Sequence, residues 1–395
     1  MKIVRTLPTT RLIGLVATVV VVFSAVAGLA VAASGTSESP PPAKPLDAAI
    51  HDALATTRPD GITARIRFTN DLLPSGALLD NVASALITGA SGRLWVTSDG
   101  RARLELQSDA GDVQLVWDRP TVTVYDASSN TVYKATLPAD ASGRTDPSPD
   151  TGAAPTLVEI DDLLGSLGAH VTISAAEPTI VAAQPAYSTT ISPRDHGGLV
   201  GGLELAWDAA HGVPLRGSVF ARGNASPALR LEVTDVSYGA VPASDVAIPP
   251  PSDARVIDLG VVRPSSPTAQ DEGSSVTGLD AVRAAAGFPV AAPDTLAGLL
   301  RRDVRLVGGA DAKAALVVYG EGLGAIVVVE RRADAQHAAG GALASLPAVS
   351  LDGITAHELS TQLGTILTYR DGDVDYVVAG SVPRSAAEAA ARQLR

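Results

Sequence analysis

The sequence contains no cysteine among its 395 residues. Disulfides, thiolate metal sites, cysteine nucleophiles and an acylated N-terminal cysteine are therefore excluded. Aromatic residues are also scarce, at 4%, whereas hydrophobic residues as a whole make up 46%. This is the composition of a globular protein and not of a disordered one, and its core must be built mainly from Ala, Val and Leu.

Basic residues are few relative to acidic ones. The chain has 30 Lys and Arg against 42 Asp and Glu, which gives a formal net charge of −12. Binding to a nucleic-acid backbone needs clustered Lys and Arg, and no basic stripe occurs in the sequence. Nucleic acid is therefore not an expected partner.

The N-terminus has the pattern of an export signal. Lys2, Arg5 and Arg11 precede an uncharged apolar run of 22 residues, 12–33. The positive end should stay in the cytoplasm, so the sequence after residue 33 is expected to be extracytoplasmic. Small residues at 30–32 favour cleavage, whereas the length of the run is sufficient to span a bilayer as an anchor. Both fates remain open, and loss of residues 1–33 changes the formal charge from −12 to −15.

The length predicts more than one folded unit, at about 150 residues per domain. Stretches rich in Pro, Ser and Gly mark the boundaries. The predicted organisation is a signal peptide or signal anchor at 1–33, a linker at 34–45, a first domain at 46–250, a linker at 251–275 and a second domain at 276–395.

Period-two alternation dominates the first domain. In 62–69, for example, Ile62, Ala64, Ile66 and Phe68 share one face of a predicted strand. Helical spacing occurs near residues 46–54 and 157–167, and the second domain shows hairpins and two helices. The predicted fold class is α+β, with a curved antiparallel sheet that helices cover and a smaller C-terminal α+β domain.

The sequence offers little chemistry for catalysis. No two of its six histidines have metal-ligand spacing on a predicted helix, so neither a metal nor another cofactor is predicted. His211 is interpreted as a solvated turn residue. Asp195 and His196 could belong to a triad, but no GxSxG motif accompanies them. An esterase therefore remains only an alternative, no catalytic residue is predicted, and we expect that the protein is not an enzyme.

Two further motifs are interpreted as turns. The stretch "DGDVDY" at 371–376 resembles the opening of a calcium loop but lacks the glycine and the distal glutamate of an EF-hand. The glycine-rich stretch at 319–324 precedes a predicted strand and not the helix that a phosphate cradle requires. Hairpin turns explain both patterns.

Three stretches occur in an informative order: "VWDRPTVTVYDASSNTVYKATLP", then "GLELAWDAAHGVPLRGSVF", then "LRLEVTDVSYGAVPASDVAIPPP". A predicted strand that ends in Trp-Asp is followed by one that ends in Tyr-Asp and by a hairpin. A later pair of strands is followed by consecutive prolines. This order resembles the LolA and RseB superfamily of extracytoplasmic lipoprotein-binding proteins, in its actinobacterial form, over about residues 45–255. The C-terminal module resembles an accessory domain attached to such proteins in Gram-positive bacteria.

The resemblance implies an incomplete β-barrel lidded by helices, with a hydrophobic cavity for lipid or acyl chains. Alternation in this sequence then predicts the following lining residues: Ile66, Phe68, Leu104, Leu106, Leu115, Trp117, Val122, Val124, Leu203, Leu205, Trp207, Leu231 and Val233.

The resemblance leaves two functional hypotheses. The first is a non-enzymatic LolA-like carrier whose partner is a lipid or an acylated lipoprotein. The second is an RseB-like regulator of envelope stress that binds a membrane anti-sigma factor, with the C-terminal domain as the part that contacts this membrane protein.

Overall fold

The structure is a computed structural model. It describes residues 39–57, 59–72, 89–109, 111–118, 120–136, 155–168, 170–194, 198–261, 276–308, 313–333, 343 and 346–395. The predicted export segment at 1–33, the loop at 138–154, His196 and residues 262–275 lie outside these ranges. No helix in the described ranges is long and apolar enough to cross a bilayer.

In the described part of the chain, thirteen strands form the first sheet. They are β1 (Gly61–Asn70), β2 (Ala90–Thr97), β3 (Ala102–Gln107), β4 (Val113–Asp118), β5 (Thr121–Asp126), β6 (Thr131–Thr136), β7 (Val171–Ile173), β8 (Glu177–Val181), β9 (Gln184–Pro193), β10 (Val200–Asp208), β11 (Pro214–Ala221), β12 (Pro227–Tyr238) and β13 (Arg255–Val261).

The order across this sheet is β13-β6-β5-β4-β3-β2-β1-β12-β11-β10-β9-β7, and β8 pairs with β9. Among the described strands all pairings are antiparallel except that of β13 with β6, which is parallel. Strand β1 joins the two halves, because it pairs with β2 on one side and with β12 on the other.

Three helices accompany the first sheet: α1 (Leu46–Ala55), α2 (Leu157–Leu167) and the short α3 (Ala243–Val246). A capping box starts α2, because the Thr156 hydroxyl accepts from the Glu159 amide and the Glu159 carboxylate accepts from the Thr156 amide. Helices α1 and α2 contact each other. Helix α1 also packs on Tyr187 and Trp207, so it covers the end of the sheet formed by β9 and β10.

One face of the sheet is apolar and the other is polar. Leu104, Leu115 and Val233 are buried on the inner face in a single cluster. On the outer face, the guanidinium of Arg216 lies 2.7 Å from the carboxylate of Glu204 and 3.4 Å from that of Glu232. This alternation confirms the predicted α+β fold with a curved, largely antiparallel sheet.

A crossover segment, residues 239–254, carries the chain from β12 to β13 across the outer face of six strands. Arg103 lies under it: its guanidinium contacts the Trp95 ring and donates to the Asp245 carbonyl at 3.0 Å. The Gln114 amide donates to the Ile248 carbonyl at 3.3 Å, and Val246 is buried. Side chains of the sheet therefore hold the crossover segment in place.

Two segments predicted as linkers carry structure in part. In 34–45, the Pro42 carbonyl accepts from the Tyr187 hydroxyl at 2.6 Å, and Lys44 pairs with Asp52 at 2.6 Å. In 251–275, residues 255–261 form strand β13. The pairing of β13 with β6 joins residues far apart in the sequence, so local patterns do not reveal it.

The second sheet holds eight strands in the described residues, ordered β14-β15-β16-β17-β21-β20-β19-β18 and all antiparallel. They are β14 (Thr295–Leu296), β15 (Leu299–Val307), β16 (Ala314–Tyr319), β17 (Ile326–Arg332), β18 (Ala348–Leu351), β19 (Ile354–Ser360), β20 (Thr365–Asp371) and β21 (Val374–Gly380). Helices α4 (Leu279–Ala286) and α5 (Arg384–Gln393) share one apolar cluster with this sheet.

The two sheets are joined by polar contacts. The Leu199 amide donates to the Ser381 carbonyl at 2.8 Å. The Gln362 side chain donates to the Asp71 carbonyl at 2.8 Å and accepts from Asn224 at 2.9 Å. The loops at one end of the first sheet thus contact the second domain directly.

The turn between β10 and β11 requires glycine at position 212. Gly212 has a φ of +62°, and a Cβ there would lie 2.3 Å from the Ala53 carbonyl oxygen of α1. We expect Gly212→Ala to lower the free energy of unfolding by about 3 kcal/mol or more, because backbone strain and overlap add. Tryptophan fluorescence in a urea titration would measure this, since Trp95, Trp117 and Trp207 all lie in the first domain.

Gly223→Ala is the matched control. Gly223 has a φ of +74° but nothing within 4 Å of an added Cβ. Gly223→Ala should therefore lower the free energy of unfolding by the backbone strain alone, about 1 kcal/mol. Equal losses in the two variants would show that the turn does not pack on α1.

The β8–β9 hairpin has a turn that alanine does not favour. Ala182 and Ala183 have φ values of 53° and 58°, and two-residue hairpin turns of this kind prefer Asn-Gly. We expect the double substitution Ala182→Asn and Ala183→Gly to raise the free energy of unfolding by about 1–2 kcal/mol. A lower urea midpoint for the double variant would contradict this backbone conformation.

Candidate functional site

The inner face of the first sheet encloses a cavity of about 110 Å³. Residues of β4 and of the start of β11 line it together, although these strands lie five positions apart in the sheet order. The sheet must therefore curl around the cavity. The lining consists of Pro59, Gly61, Ile62, Ala64, Ile66, Leu94, Val96, Thr97, Ser98, Gly100, Ala102, Leu104, Leu115, Val213, Pro214, Leu215, Leu231, Val233 and Val236.

The lining is aliphatic. Among the described residues that form it, none is charged and none is aromatic. Its two hydroxyl groups, those of Thr97 and Ser98, lie at the turn between β2 and β3. The Thr97 hydroxyl is already used, because it accepts from the Arg101 amide at 3.1 Å. The site therefore offers an apolar surface with polar groups at one end, as small-molecule sites commonly do.

A buried polar cluster stands at the edge of this cavity. Asp208 Oδ1 accepts from the amides of Ala210 and His211, both at 2.7 Å, and lies 3.1 Å from His211 Nδ1. The Tyr238 hydroxyl donates to Asp208 Oδ2 at 2.7 Å, and the rings of His211 and Tyr238 stack with centroids 3.8 Å apart. Val213 and Val236, which flank the cluster in sequence, both line the cavity.

The structure corrects the interpretation of His211. The sequence predicted a solvated turn residue, but the side chain is only 8% exposed. The turn itself is present. The ring is buried because it stacks on Tyr238 of β12, a residue that the local sequence of the turn does not reveal.

The cluster favours an ionised Asp208. Burial alone would raise the pKa of Asp208, but hydrogen bonds from His211 and Tyr238 outweigh it and place the pKa below its usual value. Burial, and next the Asp208 carboxylate, raise the pKa of Tyr238. The Tyr238 hydroxyl therefore keeps its proton and acts as the donor.

The structure divides the residues that the sequence predicted to line a cavity. Five of them line it: Ile66, Leu104, Leu115, Leu231 and Val233. Four others belong to the same buried cluster without lining the cavity: Leu106, Trp117, Val122 and Val124.

The other four predicted residues lie elsewhere. Leu205 and Trp207 pack with Tyr187 and α1 in a separate cluster. Leu203 is 41% exposed, and Phe68 is half-buried at the end of β1. Strand β10 has a register shift between Ala206 and Trp207, and this shift and α1 separate its end from the cavity.

Sequence reasoning missed several lining residues. Ile62 and Ala64 lie on the same face of β1 as Ile66, and Ala102 lies on the same face of β3 as Leu104. Alternation could therefore have identified these three lining residues. Leu94 and Val96 lie on β2, where the apolar Trp95 between them obscures the alternation. Three more residues depend on irregular backbone at turns and bulges: Val213, Leu215 and Val236.

Within the described residues, no group of three metal-ligating side chains is present. In the stretch resembling a calcium loop, a turn joins β20 and β21 at 372–373, and the Asp375 carboxylate accepts from Arg370 Nε at 2.7 Å. The ion pair explains the burial of Asp375.

No protein-family model and no curated protein matches the sequence. Among solved structures, the chain is similar to MucB in its complex with MucA(peri), at 16% identity over 88% of this chain and 94% of that chain, with a TM-score of 0.41. The Pseudomonas aeruginosa MucA/MucB complex matches at 16% identity over 87% of this chain and 95% of that chain, with a TM-score of 0.42.

A LolA superfamily protein from Nitrosomonas europaea matches at 7% identity over 52% of this chain and 99% of that chain, with a TM-score of 0.23. The chain is similar to MucB and to LolA superfamily proteins. At these identities and TM-scores the likeness concerns the fold alone.

The Asp208 cluster gives a pH-dependent prediction. We expect Asp208→Asn to lower the free energy of unfolding at pH 7 by about 2–3 kcal/mol, because the buried donors lose a charged acceptor. The folded-state pKa of Asp208 is lowered, so its contribution should be present above about pH 4 and be lost as the pH falls through the folded-state value.

Urea titrations at a series of pH values would test this. The difference in the free energy of unfolding between the wild type and Asp208→Asn should shrink as the pH falls below about 4. Asp235→Asn, an exposed change on β12, should stay within about 0.5 kcal/mol of the wild type. A difference that stays unchanged as the pH falls from about 4 to about 2 would contradict an ionised Asp208.

Proposed function

We propose that this protein binds an acyl chain of a lipid or of an acylated protein outside the cytoplasmic membrane, without catalysing a reaction. The observation that carries the proposal is the aliphatic cavity of the first sheet, whose described lining has no charged side chain. A polar or charged ligand would lose its hydration there without gaining partners, whereas an alkyl chain would not. The export pattern at residues 1–33 supports an extracytoplasmic location.

The size of the cavity limits what enters. A water molecule occupies about 30 Å³ and a cavity of about 150 Å³ binds one benzene, so this cavity holds roughly four groups of the size of a methylene. Their burial at about 0.8 kcal/mol per methylene contributes about 3 kcal/mol. The cavity therefore suits the end of an acyl chain.

The same capacity bears on the choice between a carrier and a regulator. A carrier of acylated proteins must shield all the chains of the anchor from water, whereas a sensor needs to recognise only part of one chain. A cavity of about 110 Å³ favours the sensor. This observation supports a second candidate function, that of an RseB-like regulator that reports acyl chains to a membrane protein partner. The carrier and the regulator would both bind an acyl chain.

We expect the purified protein to take up a fluorescent fatty acid by binding the end of its alkyl chain in the cavity. Ala64→Leu should weaken binding by at least about tenfold, because it fills space that about three methylenes would occupy. Leu115→Arg should abolish binding, since it places a charge in the lining. A fluorescence titration measures both effects, and native mass spectrometry would identify lipid that co-purifies with the protein.

Leu203→Arg is the matched control. Leu203 belongs to the same predicted set as Leu115 but is 41% exposed and outside the lining, so its change should leave binding intact. Leu115→Arg could also lose binding by misfolding. Ala64→Leu keeps the proposal testable in that case, because it adds apolar volume to the lining and no charge. A wild type that carries no lipid and takes up no fatty acid would overturn the proposal, as would equal losses in Leu203→Arg and Ala64→Leu.

A further inference from the structure

Glu330 is buried in the core of the second domain. It lies on β17 between Ala315 of β16 and Tyr376 of β21, and its exposure is 0%. One carboxyl oxygen, Oε2, accepts from the Ala291 amide at 2.8 Å. The other, Oε1, is buried and has no hydrogen-bond partner within the described part of the chain. A carboxyl group in this setting has only one donor.

The groups around Glu330 offer little compensation for a negative charge. Tyrosine rings face it from three strands: Tyr319 of β16, Tyr369 of β20 and Tyr376 of β21. The Tyr319 hydroxyl is also buried without a partner in the described residues. Arg283 of α4 is the cation that acts on Glu330, and no ion pair within 4.0 Å joins the two in the described structure.

Other charges lie further out in the tyrosine cluster. Arg301 and Asp294 act on Tyr319. Asp371 and Arg395 act on Tyr369, and its hydroxyl donates to the Ala391 carbonyl at 3.1 Å. None of these four charged groups acts on the Glu330 carboxyl; among the described residues, Arg283 is the one charged group that does. They therefore do not neutralise its carboxylate directly.

Glu330 is one of four side chains that hold a single loop, together with Arg283, Arg301 and Arg332, whose guanidinium donates to the Gly287 carbonyl. This clamp loop, residues 287–294, joins α4 to β14. Arg283 donates to the Val290 carbonyl at 3.4 Å. Arg301 donates to the Ala292 carbonyl and lies 2.8 Å from the Asp294 carboxylate. Glu330 holds the loop centre through the Ala291 amide. The clamp loop also packs on the sheet through side chains, because Phe288, Val290 and Ala292 are buried in the apolar cluster of the second domain.

The charge state of Glu330 then decides the stability of this attachment. A neutral carboxyl group can remain buried with one hydrogen-bond donor. Burying an ionised carboxylate without a close cation costs several kcal/mol of free energy, because the charge loses its hydration. Burial raises the pKa of Glu330 to about 7, although the Ala291 amide and Arg283 act in the opposite direction. Departure of the clamp loop from the sheet removes the Ala291 amide and admits water, which can then hydrate the charge.

We propose that Glu330 is a proton-controlled latch: when protonated it keeps the clamp loop docked on the second sheet, and when ionised it favours release of the loop. The latch lies in a different domain from the acyl-binding cavity and does not depend on the proposed lipid binding. In an exported protein it would couple the exposure of one surface of the second domain to the pH outside the membrane.

The pH window follows from linkage. Release of the loop returns Glu330 to water, where its pKa is about 4.3, so opening is accompanied by loss of a proton. Opening should become easier as the pH rises from about 4.5 towards about 7 and should level off above the folded-state value. The docked loop is thus most stable in acid.

Hydrogen exchange of the full chain, followed by mass spectrometry and corrected for intrinsic rates, tests the latch. Protection of the amides in 288–294 should fall on the order of a hundredfold between about pH 5 and about pH 8. In Glu330→Gln, a neutral group of the same shape, the protection should be nearly independent of pH. Protection that is unchanged with pH in the wild type, or that falls equally in Glu330→Gln, would overturn the proposal.

Glu358→Gln is the matched control. Glu358 is also buried and its pKa is also raised by burial, but it pairs with Arg384 at 3.0 Å and does not contact the clamp loop. This variant should keep the wild-type pH dependence in 288–294. If Glu330→Gln fails to fold, carbon-13 NMR of the wild-type glutamates decides: one carboxyl should titrate near pH 7, and its absence would overturn the proposal.

Discussion

Four hydrogen-bond contacts to the carboxylate of Asp208 hold three parts of the first domain together. Two come from backbone amides of the β10–β11 turn, one from His211 and one from Tyr238 of β12. The same turn approaches α1 at Gly212. The position of the helix, the ends of β10 and β12, and the edge of the cavity all depend on this one buried charge.

The two domains shift the pKa of a buried carboxyl group in opposite directions. Asp208 has enough donors to favour its charge, and its pKa is lowered even though burial acts to raise it. Glu330 has a single donor, and its pKa is raised to about 7. Donor number therefore distinguishes a group that fixes structure from one that can respond to its surroundings. The cavity differs from both sites, because its described lining has no ionisable side chain at all.

The sequence predicted those parts of the fold in which local patterns decide the structure. Strict alternation placed Leu104 and Leu115 correctly on the inner face. The β8–β9 hairpin was missed because Ala182 and Ala183 form a turn without the usual Gly or Asn. Strand β13 was missed because Val256, at the sheet edge, is 58% exposed and its partner strand is distant in sequence. Trp207 was placed in the cavity because alternation does not show that α1 covers its strand.

The position of β1 has a consequence for how the chain folds. One neighbour of β1 is the next strand in the described sequence, but the other is β12, in which Tyr238 pairs with Ile62. One edge of β1 must therefore wait until Tyr238, which follows Ile62 by 176 residues, has been synthesised. During that interval an apolar strand with unpaired amides and carbonyls is open to wrong partners. Late closure of this kind makes folding slow, because a contact between residues so far apart in the sequence forms only after a long loop has closed.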